Sequence, residues 1–74
     1  MRYKFRFIIE DEDIAEFETD ATPPNIGDEV VIGPNLIAAD KVALSHNTFV
    51  VNNLLHVFSE ASSTLVEISL EVLD

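Results

Sequence analysis

The sequence predicts an all-β domain, a small barrel of about five antiparallel strands, and three observations lead there. Side chains alternate with period two near both ends, from Arg2 to Ile9 and from Thr64 to Leu73, the signature of strands buried on one face. Turn-forming clusters, Ile26-Gly27-Asp28 and Gly33-Pro34-Asn35, divide the middle into short pieces. Apolar residues come in short runs, none near the roughly 20 that cross a bilayer. The 74 residues predict one domain, 1–74, near the size at which a single core only just offsets chain entropy. Without cysteine, neither a disulfide nor a thiolate metal site can add to that stability.

The first two strands form a hairpin with oppositely charged arms. Arg2, Lys4 and Arg6 share one face of the first arm and Tyr3, Phe5, Phe7 and Ile9 the other. In the second arm Glu16, Glu18 and Asp20 lie opposite Ala15, Phe17 and Thr19. Folding about Asp11 sets Arg6 against Glu16, Lys4 against Glu18, Arg2 against Asp20 and Phe5 against Phe17. Such cross-strand pairs contribute roughly 0.2–1 kcal/mol each, and a slip of one residue would set charges against aromatics.

Ala21 to Asn25 is an extended connector held by Pro23 and Pro24. After the Gly27 turn, Glu29-Val30-Val31-Ile32 reads as a short β-branched strand closed by Gly33-Pro34-Asn35. Residues 36–44 suit either a helical face or a strand; the expectation is a short helical turn followed by extended chain. Thr48 to Phe58 and Thr64 to Leu73 make a second hairpin around a loop at Glu60-Ala61-Ser62-Ser63. In its second arm Thr64, Val66, Ile68, Leu70 and Val72 share a face. In its first, Phe49 and Val51 share a face until Asn52-Asn53 interrupts, which predicts a β-bulge or a tight turn. Beyond it, either Leu54, His56 and Phe58 or Leu55 and Val57 point inward.

Pro24-Asn25-Ile26-Gly27-Asp28-Glu29-Val30, Phe49-Val50-Val51, Leu54-Leu55-His56-Val57-Phe58 and Val66-Glu67-Ile68-Ser69-Leu70-Glu71 together resemble a pattern of small SH3-like β-barrel proteins of bacteria, their mobile elements and phages. The resemblance covers roughly the C-terminal two thirds and implies a fold more than an activity. The stretch from Gly33 to Asn47 is longer than the tightest versions of that pattern have.

Fourteen acidic residues against four basic ones leave a net charge of −10. A phosphate backbone is therefore no expected partner, because binding one depends on clustered Lys and Arg. Charges threaded through Met1–Phe7 are unlike a signal peptide, so a cytoplasmic protein is expected, with no membrane contact. Half of the acidic side chains, Glu10, Asp11, Glu12, Asp13, Glu16, Glu18 and Asp20, fall at the tip and second arm of the first hairpin. These are the candidate partner-binding residues. Glu16, Glu18 and Asp20 would stand about 6.6 Å apart, twice the strand rise. Such a row suits the basic, nucleic-acid-binding surface of a host protein, as a phage- or mobile-element-encoded inhibitor would use it. The plainer explanation is that the charge keeps a small β-protein soluble and its edges unpaired.

Two other readings compete. Phe49, Phe58, Leu65 and Leu73 exceed what one small core encloses, which suits a homo-oligomeric assembly module. Alternatively Arg2, Lys4 and Arg6 turn outward to hold a phosphorylated ligand. Catalysis is not expected. His56 facing Glu67 would be an acid–base couple, but a strand histidine beside a carboxylate is more often structural. His46, in a loop, has no partner signal. No cofactor or metal is expected: Asp11 as the first position of a calcium loop puts Glu16 where Gly is required and Thr22 where Glu is required. Gly27 and Gly33 stand too far apart for a phosphate cradle.

Overall fold

Strand β5 (Thr64–Val72) lies at the centre of the molecule, with β1 (Tyr3–Ile9) on one side and β4 (Phe49–Val57) on the other. Outside these are β2 (Glu12–Thr19) and the two-residue β3 (Glu29–Val30), giving the order β2-β1-β5-β4-β3. The computed structural model describes residues 2–58 and 64–73, so the expected loop at Glu60–Ser63 falls outside the described residues. The sheet curls into a half-barrel, as the sequence predicts, but it is mixed. β1 and β5 run parallel, with Phe5 beside Val66 and Phe7 beside Ile68. That corrects the expectation of antiparallel strands throughout. A sequence with two hairpins does not reveal how the hairpins dock, and docking the first strand along the last makes the parallel pair.

The first hairpin has the expected register, Arg6 opposite Glu16, Phe5 opposite Phe17 and Lys4 opposite Glu18. Near the turn it shifts by one, Phe7 facing Ala15 and Ile8 facing Asp13. Ile14 is the extra residue. A bulge there points neighbouring side chains the same way, and Ile14 and Ala15 are both buried. Of the two alternatives at Asn52-Asn53 the bulge is the one present, as a register shift between Val51 and Asn53.

The core collects the inward face of each strand: Phe5, Phe7, Ile14, Phe49, Val51, Val66, Ile68 and Leu70, with Ile32 and Ile37 from the connection. Phe17 stands 5.9 Å from Phe5 and 5.8 Å from Phe7, ring centre to ring centre. Such aromatic pairs contribute about 0.5–1.5 kcal/mol beyond the area they bury. Of the inward candidates after the bulge, Leu54 packs on the core while Leu55 and Phe58 remain exposed.

The middle of the chain departs most from expectation. Only Glu29 and Val30 join the ladder; Val31 and Ile32 leave it, Ile32 turning into the core. Residues 34–36 then turn, with the Leu36 N–H donating to the Gly33 carbonyl at 3.0 Å. Ile37 bridges to Ala15 and the Ala38 N–H donates to the Ile14 carbonyl at 2.9 Å, so this segment covers the bulged part of β2's edge. A 3-10 helix, Ala39–His46, follows and has no buried residue. The helical turn therefore comes after the extended piece, and His46 ends the helix instead of lying in a loop. Small apolar residues without a buried stripe left that order undetermined in the sequence. No helix among the described residues is long and apolar enough to cross a membrane.

Candidate functional site

The seven candidate carboxylates separate into two groups once the side chains are in place. The β2 row lies against the cations of β1. Arg6 Nε is 2.8 Å from a Glu16 carboxylate oxygen and 3.8 Å from one of Asp13, and its Nη1 is 2.9 Å from Glu67. Lys4 Nζ reaches Glu16 at 3.0 Å, while Arg2 reaches Glu18 at 3.3 Å and Asp20 at 3.2 Å. Three cations thus face five carboxylates, Asp13, Glu16, Glu18, Asp20 and Glu67. The backbone register matches the one expected, but Lys4 leans to Glu16 and Arg2 to Glu18. Sheet twist brings such diagonal neighbours within reach of long side chains.

Arg6 is the hub. Its side chain is 29% exposed and that of Glu67 27%, so this corner is the most shielded of the ion pairs. The hydrogen bond from Arg6, then that from Lys4, holds the Glu16 carboxyl below its ordinary value. In return the Glu16 hydrogen bond raises Arg6. Pairs farther out, such as Arg2 with Asp20, are mostly exposed and contribute at most about 1 kcal/mol each. With these contacts in place, Arg2, Lys4 and Arg6 pair internally and do not form an open cradle for phosphate.

The second group gathers at the turn. Ile9 pairs with Glu12, so Glu10 and Asp11 form a two-residue loop, and both have positive φ, 50° and 65°. This is the primed hairpin turn, for which Asn-Gly is the favoured pair; other residues in the left-handed region cost of order 1 kcal/mol each. Glu12 bonds Lys41 Nζ at 2.8 Å, which lowers the Glu12 carboxyl and raises Lys41. Glu10, Glu12 and Asp40 line a hollow of about 350 Å³ beside Lys41, and Glu10 and Glu71 line its neighbour. Among the described residues six carboxylates have no ion-pair partner, Glu10, Asp11, Asp40 and Glu71 at this end and Asp28 and Glu29 at the start of β3.

Sequence reasoning missed Asp40, Lys41 and Glu71, and it paired Glu67 with His56 instead of Arg6. Glu67 sits on the outward face of an alternating strand, a visible signal, but its neighbour Arg6 depends on the parallel pairing of β1 with β5. Lys41 reaches Glu12 only because the connection crosses to β2. His56 lies opposite Val66 and stacks on Phe58 with ring centres 6.4 Å apart, so the couple with Glu67 does not form.

A third feature is apolar. Between β2 and β3 runs a groove of about 290 Å³, floored by Phe5, Phe7 and Phe17 and walled by Val30, Val31 and Leu36. It is the open side of the half-barrel. Comparison of the chain with protein-family models, curated proteins and solved structures yields no match.

Proposed function

We propose that this chain is a protein-binding module that acts without catalysis, its turn end engaging a basic surface of another protein. The observation that carries this reading is the surplus charge there: among the described residues Glu10, Asp11, Asp40 and Glu71 have no ion-pair partner, while Arg2, Lys4 and Arg6 are engaged along the first hairpin and the one cation at this end, Lys41, is bonded to Glu12. Two of the four sit where the backbone would be better served by Asn-Gly. Carboxylates kept at a conformational cost, at the most projecting point of a hairpin, suit a role outside the chain's own stability. They would steer a cationic partner and fix its orientation.

In its sharpest form the module is an inhibitor encoded by a phage or mobile element, placing carboxylates in the nucleic-acid channel of a host protein. The curled sheet of short strands is compatible with an SH3-like origin of that kind. For such an inhibitor the turn is a better contact than the β2 row, whose charge Arg2, Lys4 and Arg6 offset. A cytoplasmic setting goes with it.

The double variant Glu10→Asn with Asp11→Gly tests this, because relief of the turn stabilises the fold by about 1 kcal/mol and separates loss of binding from loss of structure. Proteins from the source cells retained on the immobilised wild-type chain near 0.1 M salt should be released by salt and absent from the variant. Equal retention by both chains would overturn the assignment of the turn.

A further inference from the structure

We infer that the outer edge of β4, residues 53–58, pairs antiparallel with the same edge of a second copy of this chain. β3 covers only the start of β4, through Val50 and Phe49, with Val51 bonded to Gly27 and Asp28. Past the bulge, no strand among the described residues lies outside Asn53–Val57. Alternation settles which backbone groups are left. The Thr64 N–H points to Arg2, just before β1, and the Leu73 N–H to Thr48, before β4, so Leu65, Glu67 and Ser69 bond β4 through Val57, Leu55 and Asn53. The N–H and C=O groups of Leu54 and His56 therefore point off the sheet.

This edge lacks the devices that keep strands single. Between Asn52 and Phe58 there is no Lys, no Pro and no carboxylate, and Leu55 and Phe58 are 53% and 80% exposed. The opposite edge has all the protection: β2 is bulged, bridged by Ile37 and lined with Glu16 and Glu18.

The charge of the chain selects the occupant. With a net charge of −10, two copies repel wherever carboxylates meet, and this strip is an edge along which their backbones can approach with no carboxylate between Asn52 and Phe58. It is also self-complementary. Setting His56 against His56 of the second copy places Leu54 against its Phe58 and Leu55 against its Val57, apolar to apolar on both faces. A two-fold pairing of this kind closes on itself and stops at two.

Sedimentation equilibrium of the full chain, from about 10 µM to 1 mM, tests the inference. The expected result is a species of twice the 8.2 kDa chain mass, favoured by added salt because screening weakens the repulsion between copies. A basic partner at the turn would respond to salt in the opposite sense. His56→Pro removes an outward N–H without touching the bonds to β5, and Leu55→Lys puts charge on the strip. Each should weaken the dimer more than tenfold while the β-sheet circular dichroism persists, and Leu55→Lys decides if the proline variant fails to fold. A monomer throughout, a dimer unchanged in Leu55→Lys, or growth beyond two copies would overturn it.

Discussion

Hairpin β1–β2 and hairpin β4–β5 are ribbons of similar length joined through the same central ladder, yet they treat their outer surfaces in opposite ways. In the first, aromatic rings fill the inner face and the outer face is knitted by Arg2, Lys4 and Arg6 to neighbouring carboxylates. In the second, Val66, Ile68 and Leu70 fill the inner face, but β4 ends in a strip with Leu55 and Phe58 exposed. The first ribbon satisfies itself and keeps its surplus charge at the turn. The second leaves both apolar surface and backbone groups available. A small chain with few cations can close one hairpin by ion pairing, and its charge then decides which surfaces can meet another molecule.

The largest effect is expected where the two ribbons share a floor. Ile68 is fully buried on β5 between them, so Ile68→Ala should cost about 2–5 kcal/mol. That is enough to unfold much of so small a domain, measured by urea denaturation. Equal stability would mean that the hairpins are not packed through β5.

Next comes the hub of the first ribbon. Arg6→Met strands Glu67 and Asp13 without their cation and leaves Glu16 to Lys4 alone, with an expected loss of about 1–2 kcal/mol by the same measurement. Acid should act through the same corner. Because Glu16 lies below its ordinary 4.5 in the folded chain, its contribution is present above that pH and is lost as the pH falls through the lowered value. The melting temperatures of wild type and Glu16→Gln should therefore differ at pH 7 and converge in stronger acid. A gap that widens in acid would show that Glu16 is not held by Arg6.

How much of this contrast was legible beforehand differs between the ribbons for physical reasons. Opposite charges in matching alternation admit one register, so Arg6 with Glu16 and Phe5 with Phe17 could be read directly. The two asparagines marked an irregularity, a bulge or a tight turn; Ile14 gave no such sign, because an apolar residue beside Ala15 looks like an ordinary strand. The parallel contact of β1 with β5 joins the ends of the chain, and local pattern carries no information about it. Hence Glu67 is not legible as a partner of Arg6, although the facing of the β2 row by Arg2, Lys4 and Arg6 is. Glu10 and Asp11 were found, while Asp40 and Glu71 join them only through the fold.

The smallest effect belongs to the open strip. Phe58→Ser should change the stability of the isolated fold by no more than about 0.5 kcal/mol, since an 80% exposed ring has little contact to lose. A loss of several kcal/mol would mean that the strip is part of the core.

Amide hydrogen exchange followed residue by residue against protein concentration compares the two edges in one experiment. The amides of Leu54 and His56 should gain protection as concentration rises, while the Glu18 amide, directed off the opposite edge, exchanges rapidly at every concentration. Rapid exchange at Leu54 and His56 up to 1 mM, or concentration-dependent protection at Glu18 instead, would contradict the contrast between a closed and an open ribbon.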